Sequence, residues 1–325
     1  MTWPAHSDGM RFFNPWRPIP TRSRAELLRW RLAKRPAWPD EFPSPFRDRP
    51  PARSESLRAT LIGHATLLYQ VAGANILVDP VWSRRASPFR FAGPLRRNEP
   101  GVDLADLPPL DAVLVTHGHY DHLDHATLRL LRPSQVVAPK IMAPKIIAPL
   151  GNARAIPGGA TEVDWGDVVE IAPGVRAHAL PCHHWSARTP WDRNRALWCG
   201  YAIETPAGLI LHIGDTGFHD GALFAELRQR LAEPLLAALP IGAYEPRWFM
   251  HPQHMDPDEA VAAFRLLGAR HGIGHHWGTF HLTDEPIEEP AQRLADACAR
   301  EGITGFEAFR PGQVWRQVGG GGSVL

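Results

Sequence analysis

Histidine and aspartate side chains are concentrated in one short stretch of the sequence, THGHYDH at 116–122. The apolar run before it, at 111–115, is typical of a buried strand, and the segment after it, at 125–131, has the spacing of a helix. A single histidine beside an apolar strand is usually a surface or core residue. Four metal-binding side chains within six residues are difficult to explain in that way, and their spacing differs from the HExxH pattern of helical zinc proteases. The stretch therefore predicts a metal-binding loop that is fixed at both ends by regular structure.

The four side chains of this loop can serve two neighbouring ions. Because residues two apart in an extended segment point the same way, His117 and His119 can bind one ion. Asp121 and His122 can face a second ion beside the first. Neutral imidazole and carboxylate groups suit zinc, manganese or iron.

The order HxHxDH after a hydrophobic strand resembles the signature of the metallo-β-lactamase superfamily. More of the chain resembles one branch of it, the N-acyl-phosphatidylethanolamine-hydrolysing phospholipases D and their bacterial relatives. The run PIGAYEPRWFM at 240–250 is the segment most specific to that branch. The other segments that carry the resemblance lie at 14–16, 63–66, 79–80, 85–88, 117–124, 184–185, 214–217, 253–254 and 276–280.

The resemblance implies two zinc ions, with manganese or iron as alternatives, held by seven side chains. The implied ligands are His117, His119 and His184 for one ion, Asp121, His122 and His276 for the other, and Asp215 as a bridge between them. Two cations about 3.5–4 Å apart lower the pKa of a shared water and neutralise charge on a phosphoryl oxygen. Asp215 suits a bridging role because the glycines around it let the backbone approach closely.

Two pairs of adjacent histidines leave the choice of ligand open, since neighbours in an extended chain point in opposite directions. The pairs are His183 with His184 and His275 with His276. The resemblance selects His184 and His276, which leaves His183 for packing or for the rim of the site. His64 follows a glycine in a turn, where a structural imidazole is favoured over a metal ligand.

The resemblance also implies hydrolysis of a phosphodiester, with an N-acylated phosphatidylethanolamine as the substrate class. Catalytic roles are assigned to Asp121 and His254, and substrate contacts to Tyr120, Gln253, Trp248, Phe249 and Met250. The apolar residues at 248–250 suit acyl chains, but ordinary core packing explains them equally well. The alternative is a lactonase or a broad phosphodiesterase of the same fold that acts on soluble substrates. A metal-loaded binding protein without turnover is a third class.

The composition limits the cellular compartments and the binding partners that we expect. The chain has 325 residues, of which 35 are basic and 34 acidic, so it has no overall attraction to nucleic acid, and lysine is scarce. The three cysteines are scattered without a CxxC, which supports neither a disulfide framework nor a structural zinc site and fits a reducing compartment. The sequence contains no signal-peptide pattern and no apolar run long enough to span a bilayer. We expect a cytoplasmic protein that acts on a phospholipid or other phosphodiester and has no nucleic-acid partner. The composition is also compatible with contact with the inner face of the membrane and with a homodimer.

The chain divides by composition into three parts. Residues 1–55 form an extension rich in Pro, Arg and aromatic residues, 56–318 form the catalytic domain, and 319–325 form a flexible Gly-rich tail. Within the extension, Leu28, Trp30 and Leu32 make a short amphipathic segment; we favour a strap that packs on the core over a membrane contact. The predicted strands lie at 59–62, 66–71, 75–78, 111–115, 135–138, 167–171, 175–180, 197–204, 209–213, 235–241 and 314–315, and the later helices at 222–231, from 256, and at 287–300. These elements indicate a β-rich α/β protein, and the resemblance implies a four-layer αββα sandwich.

Overall fold

The computed structural model describes residues 2–131, 143–318 and 321–324. Within these residues, fifteen strands form two mixed sheets, and helices lie on the outer face of each sheet. The predicted αββα sandwich is therefore confirmed. Among the helices of the described part of the chain, none is long and apolar enough to cross a membrane.

The first sheet has its strands in the order β15-β14-β1-β2-β3-β4-β5-β6. These strands are β1 (Arg58–Gly63), β2 (Thr66–Val71), β3 (Ala74–Val78), β4 (Ala112–Leu114), β5 (Lys145–Pro149), β6 (Thr161–Val163), β14 (Val314–Val318) and β15 (Gly321–Val324). β2 and β3 form a hairpin, with Gly73 at a φ of 71° in its turn. From β3 to β6 the neighbours are parallel, so the loops that follow β3 and β4 leave from the same edge of the sheet.

The second sheet has the order β13-β12-β11-β10-β9-β8-β7. Its strands are β7 (Val168–Ala172), β8 (Val175–Leu180), β9 (Gly200–Thr205), β10 (Gly208–His212), β11 (Pro234–Pro240), β12 (His271–His275) and β13 (Phe306–Ala308). β9 is antiparallel to both β8 and β10, while β10 to β13 are parallel. The strands β8, β10, β11 and β12 therefore all end at one edge.

Helices cover the sandwich on both sides. They are α1 (Arg24–Leu32), α2 (His125–Leu130), α3 (Ala222–Arg230), α4 (Arg247–Met250), α5 (Pro257–Leu267) and α6 (Glu289–Glu301). The predicted start of α5 is confirmed, because Asp256 caps the helix, a proline follows, and Glu259 completes a capping box. The sheet-to-sheet core contains Tyr69, Tyr201 and Trp315 and continues under α3, α5 and α6, while a smaller core with Leu128 lies between the first sheet and α2.

The sequence-based elements differ from the structure in a few places. The strand predicted at 111–115 is shorter, and the one predicted from 197 begins at Gly200. The strand predicted at 135–138 lies outside the described residues. Gly321–Val324 pairs with Val314–Val318 as an antiparallel edge strand, while the flexibility expected of the tail at 319–325 stays a prediction.

The N-terminal extension contacts the sandwich along much of its length, while the predicted boundary at residue 55 stays a prediction. Its contacts include Asn14 with the His184 carbonyl, Trp30 with Phe249, Trp38 with the Glu285 carbonyl, and Asp48 with Arg58. The last pair is a buried ion pair, with side chains 8% and 5% exposed. Arg58 also donates to Thr60 and Gln70, so this ion pair ties the extension to the middle of the first sheet.

The Asp48–Arg58 pair should therefore contribute to stability. Replacing Asp48 with Ala leaves a buried guanidinium without its carboxylate, and we expect a loss of about 3 kcal/mol in the free energy of unfolding. The urea midpoint should fall with an unchanged m-value. Asp40→Ala serves as the control, because Asp40 pairs with Arg97 at a fully exposed position and its loss should leave the midpoint in place. An equal, small effect of the two substitutions would contradict this assignment.

Candidate metal centre

Seven loops meet at the shared edge of the two sheets. The loop after β4 carries His117, His119, Asp121 and His122, and the loop after β3 begins with Asp79. From the second sheet, the segments after β8, β10, β11 and β12 bring His184, Asp215, His254 and His276. The seventh is the short turn between β1 and β2, which carries His64. All these side chains are buried or nearly so, and the structure brings together the seven residues that the sequence indicated as ligands.

The first group of donors consists of His117, His119, His184 and Asp215. The Nδ1 atom of His119 lies 2.9 Å from His117 Nε2 and 3.2 Å from His184 Nε2. Asp215 Oδ2 lies 3.7 Å from His117 Nε2 and 3.6 Å from His184 Nε2. Four donor atoms therefore converge on one point.

The second group shares Asp215 with the first. His276 Nε2 lies 3.1 Å from His122 Nε2, 3.0 Å from Asp215 Oδ1 and 3.4 Å from Asp121 Oδ2. His122 Nε2 lies 3.4 Å from Asp215 Oδ1. Because the two oxygens of Asp215 face different groups, its carboxylate is placed to bridge two ions.

Asp79 and Thr116 orient two of the imidazoles from behind. Asp79 accepts hydrogen bonds from His122 Nδ1 at 2.7 Å, from the Thr116 hydroxyl at 2.6 Å and from the Thr116 amide at 2.7 Å. His117 Nδ1 donates in turn to the Thr116 hydroxyl at 3.0 Å. These bonds fix the protons on Nδ1, so the Nε2 lone pairs of His117 and His122 point into the centre.

The chain orients His184 in the same manner. Its Nδ1 donates to the main-chain carbonyl of Gln253 at 3.2 Å, and its own carbonyl accepts from Asn14 Nδ2 at 2.9 Å. Neither Asp79 nor Asn14 was singled out as a ligand-orienting residue from the sequence. The signal for Asp79 was available, because an aspartate directly after a fully buried strand needs buried partners.

Electrostatics differ between the two groups. Burial first, and the neighbouring imidazoles second, hold the pKa of His117 and His184 well below the ordinary value, and burial lowers the pKa of His119 to about 4. These imidazoles are therefore neutral at neutral pH, as metal ligands must be. In the second group burial alone would lower the pKa of His276, but the Asp215 and Asp121 carboxylates raise it to about 9.

The donor set fits divalent metal ions. Ligand atoms around a tetrahedral zinc ion, each about 2.0–2.1 Å from the metal, are about 3.3 Å apart, which is close to the separations in both groups. Ring nitrogens that face each other at 2.9–3.2 Å cannot both donate a hydrogen bond, and Asp215 Oδ1 is buried without a hydrogen-bond partner among the described residues. A cation in each group satisfies these lone pairs at once.

His64 is the residue that the sequence interpretation underrated. Its Nε2 lies 3.1 Å from Asp121 Oδ2, and its ring lies 4.1 Å from that of His276, centroid to centroid. It belongs to a group of possible donors with Asp121, His122 and His276. Its backbone has a φ of 52°, an uncommon value for a residue other than glycine, which is a further sign of a functional position.

The structure separates each pair of adjacent histidines. His184 faces the centre, whereas His183 packs against the rings of Trp16 at 5.8 Å and His219 at 4.6 Å. His276 faces the centre, whereas its neighbour His275 is fully buried under the sheet and bonds to the Ile213 carbonyl at 3.1 Å. A φ of 66° at His276 produces this turn away from the strand.

His254 and its neighbours lie on the side of the centre that is formed by the loop after β11. His254 Nδ1 is buried, 4.0 Å from Asp215 Oδ2, and has no hydrogen-bond partner among the described residues. Burial lowers its pKa to about 4, so its imidazole is neutral at neutral pH. The side chain of Gln253 reaches Met250 Sδ at 3.5 Å, while its main chain holds His184.

The remaining residues assigned to substrate contacts are spread around the site. Tyr120 is half-buried beside the ligands and donates to the Arg188 carbonyl at 2.7 Å. Phe249 and Met250 are buried, and Trp248 is 39% exposed. The ring of Phe249 stacks on Trp30 of the N-terminal helix at 4.9 Å.

The fold and the centre agree with similarities to known proteins. A family profile described as the beta-lactamase superfamily domain matches residues 74–277. The chain is 40% identical over 279 residues to the N-acyl-phosphatidylethanolamine-hydrolyzing phospholipase D 1 of Caenorhabditis elegans, which covers 81% of this chain and 76% of that protein. It is 29% identical to a metal-dependent hydrolase of Herpetosiphon aurantiacus over 79% of this chain and 96% of that one. A solved isothiocyanate hydrolase from Delia radicum gut bacteria has a TM-score of 0.60 at 20% identity, over 79% of this chain and 98% of that one, which is a likeness of fold alone.

The position of His64 predicts a selective effect on metal binding. Replacing His64 with Ala removes the neighbour that holds Asp121, so the dissociation constant of the ion in the second group should rise by about 10- to 100-fold. Elemental analysis after dialysis should then find metal near one ion per chain instead of two. His178→Ala, which removes a histidine on β8 away from the centre, should leave the metal content unchanged. Two tightly bound ions in the His64 variant would exclude this role.

Proposed function

Since this chain belongs to the metallo-β-lactamase superfamily, we propose that it is a metal-dependent hydrolase that cleaves a phosphodiester bond at a two-ion centre. The substrate class is an N-acylated phosphatidylethanolamine. Hydrolysis of its phosphodiester bond releases an N-acylethanolamine and a phosphatidic acid. The 40% identity to a phospholipase D named for that reaction supports the substrate class. The observation that carries the proposal is the Asp215 carboxylate, whose two oxygens face two separate groups of buried ligands.

The ions would be held by His117, His119 and His184 on one side and by Asp121, His122 and His276 on the other, with Asp215 between them. Zinc is the metal we propose, because a set of histidine and carboxylate ligands suits it; manganese and iron are alternatives. When bound, such a pair of ions lowers the pKa of a water and offsets negative charge on a phosphoryl oxygen. Asp121 would serve the reaction by holding its ion in place, and His64 would in turn hold the Asp121 carboxylate.

His254 is the residue we propose to act on the phosphate group itself. It is a neutral imidazole with an unpartnered Nδ1 at the edge of the centre, so its free ring nitrogen can take up the proton released by the attacking water and pass that proton to the leaving alcohol oxygen. Its distance of 4.0 Å from Asp215 brings it within reach of a group bound between the ions. The neighbouring Gln253 contributes through its main chain, which orients His184.

The apolar and aromatic side chains around the centre suit the acyl chains and the glycerophosphate. Trp248, Phe249 and Met250 form an apolar segment that ends at the loop with His254. Tyr120 lies between two metal ligands in sequence. The guanidinium carbon of Arg188 lies 4.1 Å from the centre of the Tyr120 ring. We propose that Tyr120 lines the path of the phosphate and that the segment at 248–250 lines the path of an acyl chain.

The role of His254 can be separated from metal binding. His254→Ala should lower turnover by about 100-fold or more while two ions remain bound, because the residue acts on substrate and not as a ligand. Asp215→Ala should lower both turnover and metal content. Product release and elemental analysis on the same preparations check both expectations. Loss of metal together with activity in the His254 variant would assign it to the ligands instead.

The substrate class is tested by a panel of esters. Mass spectrometry should detect an N-acylethanolamine and a phosphatidic acid from N-acylated phosphatidylethanolamine, and the metal-free protein should release neither. Faster hydrolysis of soluble phosphodiesters or lactones than of the lipid would replace this proposal with a soluble-substrate hydrolase of the same fold.

A further inference from the structure

An arginine-lined cavity lies beside the metal-binding loop. Its volume is about 1050 Å³, and its wall includes Tyr120, which stands between two metal ligands in the sequence. The opposite wall is the loop that follows β3 and contains Arg84, Arg85 and Arg90. The cavity is therefore a neighbour of the metal-binding loop on the side of α2.

The charge of this cavity is strongly positive. Besides the three arginines of the loop, Arg129 and Arg188 line it, and among the described residues of its wall Asp124 is the single carboxylate. Asp124 is already satisfied, because it accepts hydrogen bonds from the amides of Ser83 and Ala126 and from the Thr127 hydroxyl. Such an excess of guanidinium groups over carboxylates favours a negatively charged ligand.

Several of these arginines have no carboxylate partner. Among the residues that the structure describes, no aspartate or glutamate oxygen lies within ion-pair distance of Arg84, Arg90 or Arg129. All three are exposed. Planar guanidinium groups in this state are well suited to phosphate oxygens, which they bind with two hydrogen bonds at once.

Large apolar side chains stand exposed around the same cavity. Phe89 is 55% exposed and Phe91 is 82% exposed, with their rings 5.6 Å apart. Leu130 follows Arg129 and is 68% exposed, and Trp191 lies two residues after the lining residue Thr189 and is 79% exposed. Exposed aromatic residues mixed with arginines fit the boundary between lipid headgroups and acyl chains.

The N-terminal helix α1 presents another exposed apolar group, with Leu28 57% and Leu32 77% exposed. Two arginines at this helix, however, are engaged with aromatic rings. Arg29 lies over Trp248 at 4.8 Å, and Arg22 lies over Phe249 at 5.1 Å while donating to the Trp248 carbonyl. The guanidinium groups of Arg22 and Arg29 are therefore less available to lipid phosphates than those around the cavity.

We infer that the arginine-lined cavity and its apolar rim, named here the docking face, bind the protein to the surface of an anionic phospholipid bilayer. The arginines bind lipid phosphates, and Phe89, Phe91 and Trp191 insert among the headgroups. A phospholipid held in this way lies next to Tyr120 and the metal ligands. The inference extends the proposed function by naming its partner surface, but membrane binding is measurable without any turnover.

Vesicle sedimentation tests the docking face. The intact metal-loaded protein should bind vesicles that contain phosphatidylglycerol more tightly than vesicles of phosphatidylcholine alone, and added salt should weaken the difference. Arg84→Glu with Arg90→Glu should lower the partition coefficient on the anionic vesicles by about tenfold or more. Phe89→Ser with Phe91→Ser should lower binding to both kinds of vesicle by a similar factor.

Matched controls come from the opposite layer of the sandwich. Arg228→Glu with Leu266→Ser changes an exposed arginine on α3 and an exposed leucine on α5 and should leave vesicle binding as in the parent protein. Circular dichroism and metal content establish that each variant is folded. Failure of the proposed function would appear separately, as absent ester cleavage with vesicle binding intact.

Three results would overturn the inference. One is a parent protein that binds neither kind of vesicle. A second is a loss of binding on Leu28→Ser with Leu32→Ser but not on changes to the docking face, which would move the contact to α1. The third combines two observations: the parent protein binds inorganic phosphate in solution at these arginines, and the arginine variants bind vesicles as tightly as the parent does. The arginines would then form a site for soluble anions.

Discussion

The structure depends on a set of buried metal-binding side chains whose nitrogen and oxygen atoms face one another. His119 Nδ1 lies 2.9 Å from His117 Nε2 and 3.2 Å from His184 Nε2, and the two oxygens of Asp215 face His184 and His122. Lone pairs that face each other at this range repel unless a proton or a cation lies between them. Bound positive charge therefore stabilises the centre, and metal ions would supply that charge without occupying the donors with protons.

The backbone makes this convergence possible at a local cost. Asp79, His64 and His276 each have a positive φ, with values of 45°, 52° and 66°, and each stands at or beside the end of a strand that borders the centre. An unfavourable backbone conformation of this kind costs of order 1–3 kcal/mol and persists where the surroundings determine it. Here the fixed strand ends and the outer hydrogen bonds of Asp79 determine it, so at these three positions the strained backbone places side chains at the centre.

Ligands that lie close together in the sequence, and strands with a regular apolar pattern, could be predicted from the sequence. The ligands at 117–122 follow one strand and could be predicted from their spacing alone. His184 and His276 could be selected from their neighbours only through the resemblance, because the turn that reverses His276 depends on tertiary contacts. The strand β12 was missed because HGIGH contains two glycines and two histidines, which have low strand propensity; its formation rests on burial between β11 and β13.

The residues that set the reaction lie outside the metal ligands. The isothiocyanate hydrolase shares the fold at 20% identity, so the fold by itself does not select a substrate. In this chain the run at 240–250 is held by Glu285, which accepts from the Ala243 amide at 2.7 Å and from the Glu245 amide at 3.2 Å. Trp30 holds the same run, because its ring stacks on that of Phe249. Because the anchors of this run come from distant parts of the chain, the proposed function would link substrate choice physically to the packing of the N-terminal extension.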